Sequence, residues 1–69
     1  MRTWNRNGYE VVEREFDYDL HVFDVIKDDE IIATITPDGI ESMDSIIADL
    51  DSGLDVDGWE DGNGNTIRI

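Results

Sequence analysis

His21 is the only histidine in this chain, and cysteine is absent. A nucleophilic triad would have to combine His21 with Ser42, Ser45 or Ser52. None of these serines lies in the glycine-flanked strand-to-helix turn that exposes a catalytic hydroxyl. His21, close to Asp19, reads as a structural or solvated side chain. Carboxylates are so frequent, 18 in 69 residues, that a chance pair with glycosidase-like spacing carries no information. Such a pair works only in a cleft that raises one of the two pKa values, and a chain this short has little material for a cleft. The expectation is no enzymatic activity and no cofactor.

The run Asp49-Leu50-Asp51-Ser52-Gly53-Leu54-Asp55-Val56-Asp57-Gly58 places acids at alternating positions. Calcium takes about six to eight oxygens from loops of this kind. The EF-hand register nevertheless fails. Starting at Asp57 puts Trp59 where an acid or amide is needed, and starting at Asp61 runs off the chain before the closing glutamate. A calcium-binding domain is therefore only the lesser alternative. The segment Asp61-Gly62-Asn63-Gly64-Asn65-Thr66 is glycine-rich, but it has no lysine and an acidic flank, so it does not suit phosphate.

What remains is the acids themselves. Acidic residues outnumber lysine and arginine 18 to 5, for a net charge of −13. Residues 1–27 carry a net −2, residues 28–69 carry −11, and no lysine or arginine occurs from Asp28 through Ile67. A surface of this sign repels nucleic acid and anionic membranes and attracts basic proteins. Solubility alone is the competing explanation. No apolar run is long enough for a membrane helix, and residues 1–8 lack the apolar stretch of a signal peptide. A cytoplasmic location is expected, consistent with the lack of cysteine.

These side chains must be positioned by a single domain spanning 1–69, because a chain this short builds only one small core. Residues 1–7 form an edge strand or an irregular start. Asn7-Gly8 marks a turn, and residues 9–15 are rich in strand formers. Phe16, Tyr18, Leu20 and Val22 alternate with polar residues, which predicts one strand running from Phe16 through Val25. Residues 27–30 read as a turn and residues 31–36 as the return strand.

Ile40, Met43, Ile46, Ile47 and Leu50 form one apolar helical stripe. Asp38 with Glu41, or Thr36 with Pro37, would start the helix, and Gly53 would end it. Asp49 and Asp51 oppose the helix dipole, which hints that their charge serves something other than folding. Asp61-Gly62-Asn63-Gly64 predicts a last hairpin with Trp59 on one arm and residues 66–69 on the other. The expected class is α+β, in the order β-β-β-α-β-β, with an antiparallel sheet carrying one amphipathic helix on one face. The rings of Trp4, Tyr9, Tyr18 and Trp59 could serve as contact anchors, but in so small a protein most of them are expected in the core.

The acids then fall on a strand (Asp17 and Asp19), on the helix (Glu41, Asp44, Asp49 and Asp51) and on the tail (Asp55, Asp57, Glu60 and Asp61). Carboxylates spaced about 5–8 Å apart can occupy the places where lysine and arginine grip phosphates. In size, lack of cysteine and charge distribution, the chain resembles the small acidic DNA-mimic inhibitors of phages and mobile elements, such as anti-CRISPR proteins and inhibitors of restriction or DNA-repair enzymes. That resemblance implies a non-catalytic inhibitor whose partner is a basic nucleic-acid-binding protein, with no direct contact to nucleic acid or membrane. The residues expected at the contact are Glu41, Asp44, Asp49, Asp51, Asp55, Asp57, Glu60 and Asp61. The alternative is a generic interaction module that contacts its partner through a sheet edge or an apolar patch.

Overall fold

The computed structural model describes all 69 residues. Four strands, β1 (Thr3–Arg6), β2 (Tyr9–Glu15), β3 (His21–Lys27) and β4 (Glu30–Ile35), precede one helix, α1 (Ile40–Asp51). The strands form an antiparallel meander in the order β1-β2-β3-β4, so β1 and β4 are the edges. The class is α+β, as the alternation of strand formers and the single amphipathic stripe predict. The order is ββββα rather than βββαββ. The N-terminal segment is a full strand, and the tail supplies only an isolated bridge, Glu60 to Thr66.

Registers Trp4↔Val11, Val11↔Val25 and Phe23↔Ile35 place these residues on one face of the sheet. That face, with Tyr9, packs against Leu50 of the helix and against Val56 and Ile67 of the tail to make the core. Trp4 and Phe23 meet in a tilted arrangement with centroids 5.9 Å apart. Met43, Ile46 and Ile47 line the inner side of α1, as the helical stripe requires.

The alternating segment 16–20 is a loop, not the start of a strand. Phe16 and Asp17 both donate from their backbone to Leu20 O, and Leu20 N–H returns to Asp17 O. Extending β3 backwards would put Phe16, Tyr18 and Leu20 on the same side as Val22, facing away from the helix. The chain turns between Phe16 and Leu20 instead. Tyr18 is fully exposed and Phe16 largely so, whereas Trp4 and Tyr9 are core and Trp59 is half-buried. Asp17 and Asp19 are loop residues for the same reason.

Gly39 caps the helix N-terminus in extended conformation, without any side-chain cap. Asp38 lies one residue too early and instead accepts from the Ser42 hydroxyl at 2.6 Å. Buried Pro37 and the bond from Thr36 N–H to Asp61 O, 2.8 Å, hold residues 36–37 outside the helix. The other end matches expectation. Gly53 at φ +94° closes α1, with Gly53 N–H on Leu50 O and Leu54 N–H on Asp49 O, a Schellman closure.

Candidate functional site

The eight acids expected at a contact divide into two structural groups. Asp51, Asp55, Asp57 and Asp61 each accept hydrogen bonds that hold the fold together. Asp51 Oδ1 receives the Trp4 indole N–H at 2.8 Å. Asp55 Oδ1 receives the Tyr9 hydroxyl at 2.7 Å and Asp57 N–H at 3.0 Å. The same Tyr9 oxygen accepts from Val56 N–H at 3.0 Å, which ties the tail to the core. Asp57 Oδ1 takes Ile69 N–H at 3.0 Å.

Asp61 is buried. Its Oδ1 accepts Asn63 N–H and Asn65 N–H at 2.8 and 3.2 Å, and its Oδ2 accepts the Asn65 side-chain amide at 3.2 Å. This corrects the expectation that Asp61 faces a partner: its oxygens close the 61–65 turn. Backbone N–H groups of Asn63 and Asn65 hold its carboxyl below the usual range, and those of Asp57, with the Tyr9 hydroxyl, do the same for Asp55.

Glu41, Asp44, Asp49 and Glu60 form the second group. All four are exposed, and their side chains enter no hydrogen bond or ion pair. At about 100° per residue, Glu41, Ser45 and Asp49 share one outer flank of α1, while Asp44 and Asp51 share the other. The first flank borders a groove of about 570 Å³ between α1 and the tail. Ile35, Ile46 and Trp59 supply its apolar lining, and Glu41, Asp49, Glu60, Ser42 and Ser45 the rest. A second depression of about 240 Å³ shares Ile35, Ser42, Ile46 and Glu60 and continues toward Pro37, Asp38 and Gly62. No lysine or arginine lines either one.

The sequence reading passed over Ile35, Ser45, Ile46 and Trp59 as parts of the site. The i, i+4, i+8 spacing of Glu41, Ser45 and Asp49 was the signal available for the helix side. Nothing local indicated that Trp59 would lie opposite.

Three of the five lysines and arginines, Arg2, Arg6 and Arg14, are committed elsewhere. Arg14 pairs with buried Asp24 through Nε and Nη2 at 2.7 and 3.1 Å, and the Thr34 hydroxyl adds a third bond at 2.8 Å. The Arg14 guanidinium holds Asp24 below the usual carboxylate range. Buried Glu13 accepts Arg2 N–H at 3.0 Å and lies 2.7 Å from His21 Nδ1. Burial pushes the Glu13 carboxyl up, but the bonds from His21 and Arg2 outweigh it and bring it down. His21 thus serves Glu13 rather than standing beside Asp19.

Arg6 reaches across from β1 to Leu50 O at 2.6 Å and Leu54 O at 3.1 Å. It supplies the cation that the last turn of α1 lacks. Asp51 near that end has a folding role through its bond from the Trp4 indole, contrary to the inference drawn from the helix dipole alone. Only Glu13 and Asp24 make ion pairs, so sixteen of the eighteen acids have none.

No three histidine, aspartate or glutamate side chains converge as a metal-binding group. Of the alternating acids of 49–57, Asp51, Asp55 and Asp57 turn to separate backbone and side-chain donors, and Asp49 takes none. No helix is long and apolar enough to cross a membrane. No protein-family model, curated protein or solved structure matches the chain.

Proposed function

We propose that this chain is a non-catalytic inhibitor, acting in the cytoplasm, that presents nucleic-acid-like carboxylates to a basic nucleic-acid-binding protein. One observation carries the reading. Glu41, Asp44, Asp49 and Glu60 stand exposed without partners, while the Arg6 and Arg14 guanidinium groups are hydrogen-bonded within the fold and Arg2 pairs with Glu13. Of the eight acids expected at the contact, Asp51, Asp55, Asp57 and Asp61 are bonded within the fold, and no hydrogen bond or ion pair uses the other four. Along α1, Glu41 and Asp49 share one flank and are separated by a rise of about 12 Å at 1.5 Å per residue, with Asp44 on the other flank. Duplex DNA carries a charge about every 3.4 Å along each strand, so a phosphate-binding row of lysines and arginines could engage these carboxylates.

A second reading has its own observation. β4 is an edge strand with Ile31 and Ile32 exposed, and such an edge can take an added strand from a partner. The two readings separate by salt and by competition. The tagged protein would be used to capture its partner from its native host, and the complex challenged with salt and then with duplex DNA or RNA. Release by salt, together with mutually exclusive binding of nucleic acid, is the expected result. A salt-resistant complex that still binds nucleic acid would favour the β4 edge and remove the mimicry reading.

A further inference from the structure

We infer that the groove between α1 and the Trp59–Glu60 segment receives an arginine side chain, flanked by an apolar residue, from the basic partner. This rests on the proposed reading and names the contact within it. The groove combines three features that one occupant satisfies together. Its lining of Ile35, Ile46 and Trp59 suits an aliphatic stem. Its border carries Glu41, Asp49 and Glu60 with no lysine or arginine of the chain's own, so an incoming cation meets uncompensated negative charge at close range. Ser42 and Ser45 add hydroxyl acceptors beside these carboxylates.

A divalent ion fits poorly, because the carboxylates do not converge into a coordinating group. An anionic or nucleic-acid ligand is repelled. Arginine suits the site better than lysine. Its planar, weakly hydrated guanidinium stacks on an indole, here that of Trp59, while its fork donates to several oxygens.

The test uses the full chain, labelled with ¹⁵N, and a synthetic peptide of alternating leucine and arginine. Counterparts carry lysine or glutamine in place of arginine. Amide shifts should concentrate at Ser45, Ile46, Asp49, Trp59 and Glu60, with the arginine peptide tightest and the glutamine peptide not binding. Ser45→Phe fills the groove from an exposed helix position and leaves every charge in place. It should weaken the arginine peptide by about tenfold or more. Ser45→Arg supplies the cation from within and should block the peptide as well.

Equal affinity for Ser45→Phe, or shifts dispersed over all acidic segments, overturns the groove inference. If Glu41→Gln with Asp49→Asn still weakens binding in that case, the broader acidic-surface reading survives. If the paired neutralisation also has no effect, both fall. Absence of any arginine-peptide binding at low salt overturns the groove inference alone, and the reading of the whole surface is then decided by the captured partner's competition with nucleic acid.

Discussion

Asp61 and Gly62 act as one device at the end of β4. The Asp61 carboxylate gathers donors from Asn63 and Asn65 while its backbone carbonyl accepts Thr36 N–H. Gly62 sits at φ +87°, and a Cβ there would run into the Thr36 carbonyl oxygen. Gly62→Ala should therefore cost about 2–4 kcal/mol, from the left-handed backbone and the collision together. Gly64→Ala, at φ +90° with open space around it, should cost only about 1–2 kcal/mol. Urea unfolding of the two variants measures the difference; equal losses would show that the Thr36 contact is irrelevant.

The carboxyls of Glu13, Asp24, Asp55 and Asp61 are all held below their ordinary values of 4.5 for Glu and 3.8 for Asp. Their stabilisation is complete above that range and is lost as pH falls through the lowered folded-state values. Tm should drop steeply below about pH 4, and Asp24→Asn should start lower and fall less. The Asp-Gly-Asn-Gly spacing made this turn legible in the sequence. It did not reveal that the aspartate would be buried, because that depends on the end of β4, some 25 residues earlier.

At the level of elements, α1 depends on a residue from the opposite end of the chain. Its last turn has no cation of its own, and Arg6 supplies one by bonding Leu50 O and Leu54 O. Arg6→Gln should destabilise by about 1–2 kcal/mol through loss of these charged hydrogen bonds and of the dipole partner. Hydrogen exchange should rise first at Gly53 and Leu54, and uniform exchange across the sheet would contradict that localisation.

The β3–β4 turn offers the opposite change. Asp28 and Asp29 sit at φ 53° and 65°, joining Lys27 to Glu30 in a two-residue hairpin that favours Asn-Gly. Asp28→Asn with Asp29→Gly should stabilise by about 0.5–1 kcal/mol and remove two repelling charges. The Ile31–Ile35 return strand and the helical stripe were legible because β-branched runs and 3.6-residue spacing report local geometry directly. Segment 16–20 was not. Its alternation is genuine, but whether such a segment prolongs a strand depends on what it meets in three dimensions, and here it closes a turn. The same dependence hid the Arg6 cap and the Trp59 wall of the groove.

For the whole molecule, sixteen acids without ion pairs should make stability depend on screening. With a Debye length of about 10 Å at 0.1 M salt, Tm should rise between very low salt and about 0.2 M monovalent salt. A flat curve would show the acids too dispersed to repel. Calcium and magnesium at millimolar levels should stabilise weakly and alike, since no carboxylates converge; a calcium-specific rise that saturates below millimolar would revive the metal-binding alternative. The functional prediction turns on separating charge from architecture. Neutralising Asp51, Asp55, Asp57 or Asp61 alters bonds to Trp4, Tyr9, Ile69 or Asn65, so a loss of binding there would confuse folding with contact. Glu41, Asp44, Asp49 and Glu60 carry no such bonds, and Gln or Asn at these positions removes charge at nearly constant size. Each pair drawn from these four should weaken partner binding and make the slope of log affinity against log salt shallower by about one unit per lost contact. Tm should hold or rise, because repulsion falls. Glu10→Gln with Glu15→Gln is the matched control, on the nearly neutral half of the sequence and away from the buried Glu13–His21 pair. If the control pair weakens the partner as much as the four do, the interaction responds to net charge alone. The placement of carboxylates along α1 and the tail then has no part in recognition.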